Sequence, residues 1–581
     1  MPRAVVILAA AVIAVAAPAV SSPAPAPATW VFFRDHGALD AAGPARDRAL
    51  ADAARRITPR ALARRAKAAR ERSTLGGTAT APLSPLDDQD LPPDPAYVTA
   101  VAAHGGAIRT RSSWLNAVSV AAPAESLARI QALPFVAEVR AVARESWDEA
   151  PEADPGPPGS AGPVPTSPDG GGDFNAGPSF LQIDMLHIPE VHAMGDHGEG
   201  VLICVLDSGF ELDHEAFRQL DVRGEHDFVN GDDDPSYDPR TDVPTQSVHG
   251  TAVLSTIAGY VPGKLIGPAY RAAYLLGMTE RIGSELPVEE DYWCEGIEWA
   301  EAQGADIVTS SLSYHNWYHG WDLDGRTAVA TRAANLALTR GVLVVNAIGN
   351  EGPKQGSIGA PADAPGAISV GAVNGIGNLA GFSSVGPTYD RRVKPDMVAP
   401  GVGVFTALAR THDQYARLSG TSFSTPLVAG CAALVLSAHP GWGPEAVRDA
   451  LAMSASRAGQ PDDQYGWGIV NARDAVLYPL LEGTVTDSVT REALQGATVR
   501  WEPVAGSPRG AAGANAAAPE PGESPASGQV LTDSTGAYVI PSLPRGTYAI
   551  TVSKPGYLDG SAGPYEVPPN LGDANVALRP R

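Results

Sequence analysis

Apolar residues fall into three textures along the chain, and each texture predicts a different architecture. Between about residues 179 and 480, unbroken apolar runs alternate with longer segments: "GVLICVLD", "GTAVLSTIAGY", "AAYLLGM", "YWCEGIEWAEAQG", "ADIVTSSL", "TAVATRAANLALTRG", "VLVVNAIGN" and "AISVGAV". Strands buried on both faces read as continuous Val, Ile and Leu runs. Their alternation with helices predicts an α/β domain with a parallel sheet covered on both sides. Upstream, "RSSWLNAVSV" reads as a strand, "ESLARIQALP" as a helix with Leu127, Ile130 and Leu133 three apart, and "FVAEVRAV" as a second strand, giving a small βαβ-like unit. Beyond Leu480 the runs become short and alternating, with close turn signals between them, as in "LEGTVTD", "GATVRWEPV" and "TYAITVSKPGY". That is the pattern of a β-sandwich.

Polar stretches divide these units. Residues 146–178, rich in Pro, Gly and acidic side chains, cannot bury enough apolar surface to order themselves and are expected to be a linker. The Ala/Gly/Pro/Ser-rich residues 505–528 read as an insertion in a loop of the sandwich, itself spanning 481–581. At the start, Arg3 precedes an apolar run from Ala4 to Ala17 and the small-residue site Ala17-Pro18-Ala19. The run is shorter than the roughly 20 residues a membrane helix needs, and fits a secretory signal over 1–19, with a retained anchor as the alternative. "ARDRALADAARRITPRALARRAKAARER" favours helix on either side of Pro59 and is expected to be solvated, facing an acidic neighbour.

Composition narrows the function classes. A formal charge of −23 over 581 residues excludes a broad phosphate-binding surface, so nucleic acid is not an expected partner. Three cysteines permit at most one internal disulfide, and Cys204 and Cys431 lie in apolar surroundings that suit buried thiols.

The chemistry begins at "LSGTSFSTPLVAGCAALV". The apolar helix starting near Thr421 is expected to run through the core, which puts Ser422 at its N-terminal end, where free amides and the helix dipole favour negative charge. Alone, Ser422 reads as a helix cap. Two other segments bear on it: "VLICVLDSG" ends a buried strand in Asp207, and "SVHGTAVL" opens an apolar helix with His249, followed by Gly250 for close backbone approach. A hydroxyl, an imidazole and a carboxylate at such positions suit nucleophilic catalysis, in which Ser attacks, His takes its proton and Asp orients the His. "VLVVNAIGNEG" ends a further strand in Asn350, an amide donor for an oxyanion or, alternatively, a left-handed turn residue.

Asp207 in "LDSG", His249 in "HGTA", Asn350 in "GNEG" and Ser422 in "GTSFSTP" resemble, in that order, the motifs of the subtilisin-like serine proteases. Departures from the family pattern are Ser208 for Thr, Ala252 for a second His, and Phe423-Ser424 for Met-Ala; none removes a reacting group. The resemblance implies a parallel α/β sheet over 179–480 with the site at the strand carboxyl ends. It implies an inhibitory propeptide over 29–145, while 481–581 is similar to carboxypeptidase regulatory-like, transthyretin-like sandwiches. In the family's substrate-binding place stand Ser311, Leu312, Ser313 and Tyr314, where a narrowed or aromatic-lined pocket is expected. Asp232, Asp233, Asp234 and Asp238 crowd one turn-rich loop, either a plain solvated loop or the oxygen ligands of a structural calcium.

The expectation is thus a secreted, extracellular serine endopeptidase, made as a self-processed precursor. It should be monomeric, with no cofactor required for its chemistry and no stable membrane insertion, acting on proteins or peptides and inhibited by its own propeptide. The alternative is a catalytically silent surface-binding protein that uses the C-terminal sandwich.

Overall fold

Strand β5 (Leu202–Asp207) shows how the central domain is built. Leu202, Cys204 and Leu206 point into one apolar core, and Ile203 and Val205 into another. This period-two division of an all-apolar strand requires helices on both faces of the sheet. The computed structural model describes residues 28–74, 86–141, 175–283, 286–479, 481–504, 527–540, 543, 546–567 and 574–581. The expected signal, most of the linker and nearly all of the 505–528 insertion lie outside the described residues.

In the central domain β5 is joined by β6 (Asp221–Asp227), β7 (Ala273–Met278), β8 (Ile307–Ser310), β9 (Leu343–Ala347), β10 (Ala367–Val373) and β11 (Met397–Pro400). The seven strands are parallel, in the order β11-β10-β9-β8-β5-β7-β6. The helices that cover the sheet are numbered here from α5, after four in the N-terminal unit. One face is covered by α5 (Val248–Ala258) and α8 (Thr421–Ala438), the other by α6 (Val288–Gln303) and α7 (Val329–Thr339). Helix α8 has the length and hydropathy to cross a bilayer, yet nine-tenths of it is buried. It is the core helix that its sequence predicts.

The N-terminal unit differs from the βαβ expectation. It is an antiparallel sheet in the order β2-β3-β1-β4, formed by β1 (Ala28–Phe33), β2 (Ala107–Ser112), β3 (Ala117–Ala121) and β4 (Val136–Ala141). "RSSWLNAVSV" is therefore a hairpin turning at Trp114–Asn116, with Asn116 in the left-handed region (φ 43°). "TWVFF" supplies the strand between β3 and β4. On this sheet Val31, Phe33, Val118 and Val120 face Val101 of α3 (Pro95–Ala103) and Ile130 of α4 (Ala124–Gln131). Trp30, Phe32, Trp114 and Ala117 face the other way and join the core beneath α6 and α7. Burying each large ring contributes roughly 1.5–3 kcal/mol, so the peptidase-side core extends across the domain boundary.

Helices α1 (Pro44–Arg56) and α2 (Pro59–Thr74) form on either side of Pro59 as expected. The expectation of a solvated face is corrected for Arg64 and Arg65, which are buried. Arg65 clasps Glu301 of α6 with two hydrogen bonds, 2.8 and 2.6 Å, and reaches Asp90 at 3.0 Å. Arg64 donates to the carbonyls of Glu301 (3.0 Å), Ala305 and Arg340 (3.3 Å), and also binds the Glu301 carboxylate. It thereby closes the carbonyl ends of both α6 and α7, where a cation is favoured. The last residues assigned to the linker are also packed: Ala176 is buried, and the Asn175 carbonyl accepts the Gly263 amide.

After Pro479 come two small sheets, β15-β12-β18 and β14-β13-β16-β17, enclosing one core. They comprise β12 (Leu481–Asp487), β13 (Thr498–Pro503), β14 (Gly528–Leu531), β15 (Ala537–Ile540), β16 (Gly546–Ser553), β17 (Gly560–Val567) and β18 (Val576–Leu578). This is the predicted sandwich. All three cysteines are buried free thiols, and burial holds each above the ordinary thiol range.

Candidate active site

Asp207 is the last residue of β5 and is fully buried. Its Oδ1 accepts hydrogen bonds from the Ser208 amide and from Nδ1 of His249, each at 2.7 Å. His249 is the second residue of α5, and a close approach of two backbones delivers it. A β-carbon on Gly250 would lie 2.3 Å from the Gly209 carbonyl and 3.1 Å from Asp207 Oδ1, so only glycine fits. The bond through Nδ1 fixes the ring and leaves Nε2 on the side away from the carboxylate. The imidazole packs on Phe423, centroids 6.0 Å apart, at the start of α8.

Ser422 follows Thr421 in the first turn of α8, where the helix supplies its amide with no intrahelical acceptor. Its hydroxyl does not cap the helix; it points to the Ser311 carbonyl at 3.4 Å, while Ser311 Oγ donates to the Ser422 carbonyl at 2.9 Å. The strand order makes this meeting possible. Ser310 pairs with Leu206 on one side and Asn346 on the other, so β5, β8 and β9 deliver their carboxyl ends side by side. In open parallel sheets that edge is where sites are built.

Asn350 follows β9 and its backbone is not left-handed, which excludes the turn alternative. Its Oδ1 accepts from the Thr421 amide (3.0 Å) and hydroxyl (3.1 Å), so Nδ2 must project the other way. The space beside Gly420 lies between two donors: a β-carbon there would be 3.8 Å from Asn350 Nδ2 and 3.7 Å from the Ser422 amide. Two nitrogen donors flanking one space suit a developing oxyanion.

The remaining sequence-predicted residues divide. Ser311 touches Ser422, and Leu312 is buried with its carbonyl held by Asn346 at 2.9 Å. Ser313 Oγ fills the space between two glycines: β-carbons on Gly359 and Gly349 would lie 2.0 and 3.2 Å from it. Tyr314 corrects the aromatic-lining expectation. It is buried, stacked on Trp317, with its hydroxyl turned towards the Glu289 carbonyl. The acidic loop does not fit a calcium ion either. Asp232 holds the Asp234 amide, Asp233 pairs with His226 at 2.8 Å, Asp234 binds Ser236, and Asp238 pairs with Arg240. Among the described residues no group of three or more such ligands converges.

Sequence reasoning missed Asp291, Glu295 and Glu298. They recur at positions i, i+4 and i+7 of α6, a spacing visible in "DYWCEGIE", and lie under the N-terminal sheet. Ser119 donates to Asp291, and Ser112 and the Ser113 amide donate to Glu298.

A carboxylate, an imidazole, a hydroxyl and two neighbouring nitrogen donors at the carboxyl edge of a parallel sheet define a serine hydrolase class of site. Comparison with known proteins makes this specific. Residues 198–468 match the Subtilase family, residues 28–155 the Peptidase S8 propeptide domain of Bacteroidota, and residues 481–579 the Carboxypeptidase regulatory-like domain. Subtilisin of Bacillus pumilus is 34% identical over 297 residues, which are 50% of this chain and 97% of the relative. Subtilisin NAT of Bacillus subtilis subsp. natto is 35% identical over 50% of this chain and 70% of its own length. The chain belongs to the subtilase family of serine peptidases and carries the family's propeptide. Among solved structures, fervidolysin from Fervidobacterium pennivorans, a keratinolytic enzyme related to subtilisin, shares the fold: TM-score 0.52 and 20% identity over 84% of this chain and 77% of that one.

Proposed function

We propose that the chain is a secreted serine endopeptidase, made as a precursor that cuts itself, with Ser422 as nucleophile, His249 as base, Asp207 as its partner and Asn350 as oxyanion donor. The observation that carries this reading is the bond from half-buried His249 to buried Asp207 beside the first turn of α8, with two nitrogen donors flanking the space at Gly420.

His249 Nε2 takes the Ser422 proton as Oγ attacks a peptide carbonyl carbon. The carbonyl oxygen becomes an anion between Asn350 Nδ2 and the Ser422 amide, which gain strength as charge develops. Buried Asp207 stabilises the imidazolium. His249 then protonates the leaving amine, and water releases the acyl group by the reverse sequence. The substrates are proteins or peptides, and the propeptide acts as inhibitor until removed, which fits the apolar core that Trp30, Phe32 and Trp114 share with α6 and α7. Secretion rests on the N-terminal sequence pattern.

The test is Ser422→Ala in a host without other secreted proteases. Wild type should lose its N-terminal unit, be labelled by a fluorophosphonate and hydrolyse unfolded casein, whereas the variant accumulates as the intact precursor. Equal processing of both would refute self-cleavage; a folded wild type inert to the probe and to casein would refute the peptidase reading.

A further inference from the structure

The face of α6 under the propeptide is acidic where an interface of this kind is ordinarily apolar or ion-paired. Asp291 is fully buried; Ser119 of β3 donates to its Oδ2, and its Oδ1 has no hydrogen-bond partner among the described residues. Two turns along, half-buried Glu298 takes the Ser112 hydroxyl and the Ser113 amide. Glu295, between them, is bound by Thr110. The charged groups facing these carboxylates are few. Arg109 of β2 stands 3.8 Å from Asp291, Arg340 acts on Glu298 and His226 on Glu295, while Glu290 and Glu295 on α6 itself repel a charge at Asp291. Hydroxyls are the chief direct partners. A carboxylate buried without a matched cation is costly, and the neutral acid fits the site better.

Resting on the reading of the N-terminal unit as a removable inhibitor, we propose that Asp291 and Glu298 form a proton-dependent latch that holds the propeptide in acid and lets it go as the pH rises towards neutrality. Burial pushes both carboxyls up to about 7 in the assembled chain, and it also raises Glu295. Once the propeptide leaves, this face meets water and the groups return to the ordinary carboxylate range, roughly 4. The sign follows. The bound state has the higher pKa, so tight binding is fully present below the free-state value and is lost as pH climbs to about 7, above which nothing further changes. Each such group weakens binding by up to tenfold per pH unit across that window.

The test uses the full Ser422→Ala chain, cut once at an added site-specific protease site within 146–174, so that retention of the propeptide is read without any chemistry at residue 422. Its dissociation constant, measured from pH 5 to pH 8, should rise by about a hundredfold for each carboxyl, up to about ten-thousandfold for the two together, and level off near pH 7. The double variant Asp291→Asn, Glu298→Gln keeps the hydrogen-bonding shape of the neutral acids and should bind tightly at neutral pH, with a much shallower profile to which Glu295 alone of the three contributes. Arg109→Met, which removes the cation nearest Asp291, should move the midpoint to higher pH. A flat profile for the parent, an equally steep one for the double variant, or an unmoved midpoint for Arg109→Met overturns the latch. Failure of the peptidase reading would show separately, as absence of fluorophosphonate labelling in the wild-type chain.

Discussion

Replacing Glu301 by Ala should loosen the precursor far more than the processed enzyme. In the precursor this carboxylate, 1% exposed, takes two guanidinium groups from α2, and the same cluster ties Arg65 and Arg340 to Asp90. Its charge is held below the ordinary carboxylate range, with desolvation outweighed by Arg65 and Arg64. Truncation leaves the buried Arg65 and Arg340 sharing Asp90, with Asp87 at the rim, and leaves buried Arg64 with backbone carbonyls alone. Removing one partner from a buried ion pair costs about 3–5 kcal/mol, chiefly because the remaining charges are stranded. With about 2 °C of melting temperature per kcal/mol for a unit of this size, the Ser422→Ala precursor should melt about 6–10 °C lower. Once the N-terminal unit is gone, Arg64 and Arg65 go with it, and the same substitution should cost less than about 1 kcal/mol, as at an ordinary surface position. Scanning calorimetry of both forms decides the matter. A precursor shift under 2 °C, or equal shifts in both forms, would show that the cluster does not clamp the propeptide.

Asn350→Ala should lower kcat by about 10² to 10³ with little change in KM, a magnitude taken from the oxyanion-hole asparagine of subtilisin, a relative, rather than worked from this structure; steady-state kinetics on a folded variant checks it. Ser313→Gly should open the space between Gly349 and Gly359 and raise kcat/KM for peptides with Phe before the scissile bond at least tenfold relative to Ala, because the hydroxyl that fills that space has no hydrogen bond among the described residues to hold it. Peptide anilides differing only in that residue provide the measurement. Ending the chain after Pro479 should leave small-peptide turnover unchanged, since the sandwich has its own core and meets the peptidase unit through few bonds, such as Arg473–Glu482 and the Leu543 amide on the Pro479 carbonyl.

The parallel sheet was legible because its strands are apolar on both faces, a pattern independent of what the chain meets later. The Asp207, His249, Asn350 and Ser422 segments were legible because each joins a buried run to a small-residue turn. Other features depended on distant partners. Arg64 and Arg65 look like surface residues until Glu301, some 236 residues on, is placed beside them. The β2–β3 turn carries no Gly or Pro to announce it, only Asn116 in an unusual backbone conformation. Tyr314 was assigned to the pocket by position along the chain, yet the bridge between its backbone and Ala360 turns the ring inward. In the acidic loop, sequence showed the charges but not the local amides, His226 and Arg240 that use them.

With the proposed roles, the placement of the reacting groups also imposes an order in time. Asp207 and His249 are 42 residues apart, whereas Ser422 arrives late in the peptidase unit, on its 18-residue core helix, well after the propeptide has been made. As the chain is synthesised from its N-terminus, the inhibitor sheet exists first, the acid–base pair next and the nucleophile last. Closing loops of that length must precede any chemistry, and it requires the whole parallel sheet to be in register. A nascent or misfolded chain therefore carries every reagent for peptide cleavage without the means to bring them together. Danger to the cell that makes it is deferred until folding is finished, at which point the inhibitor is already in place.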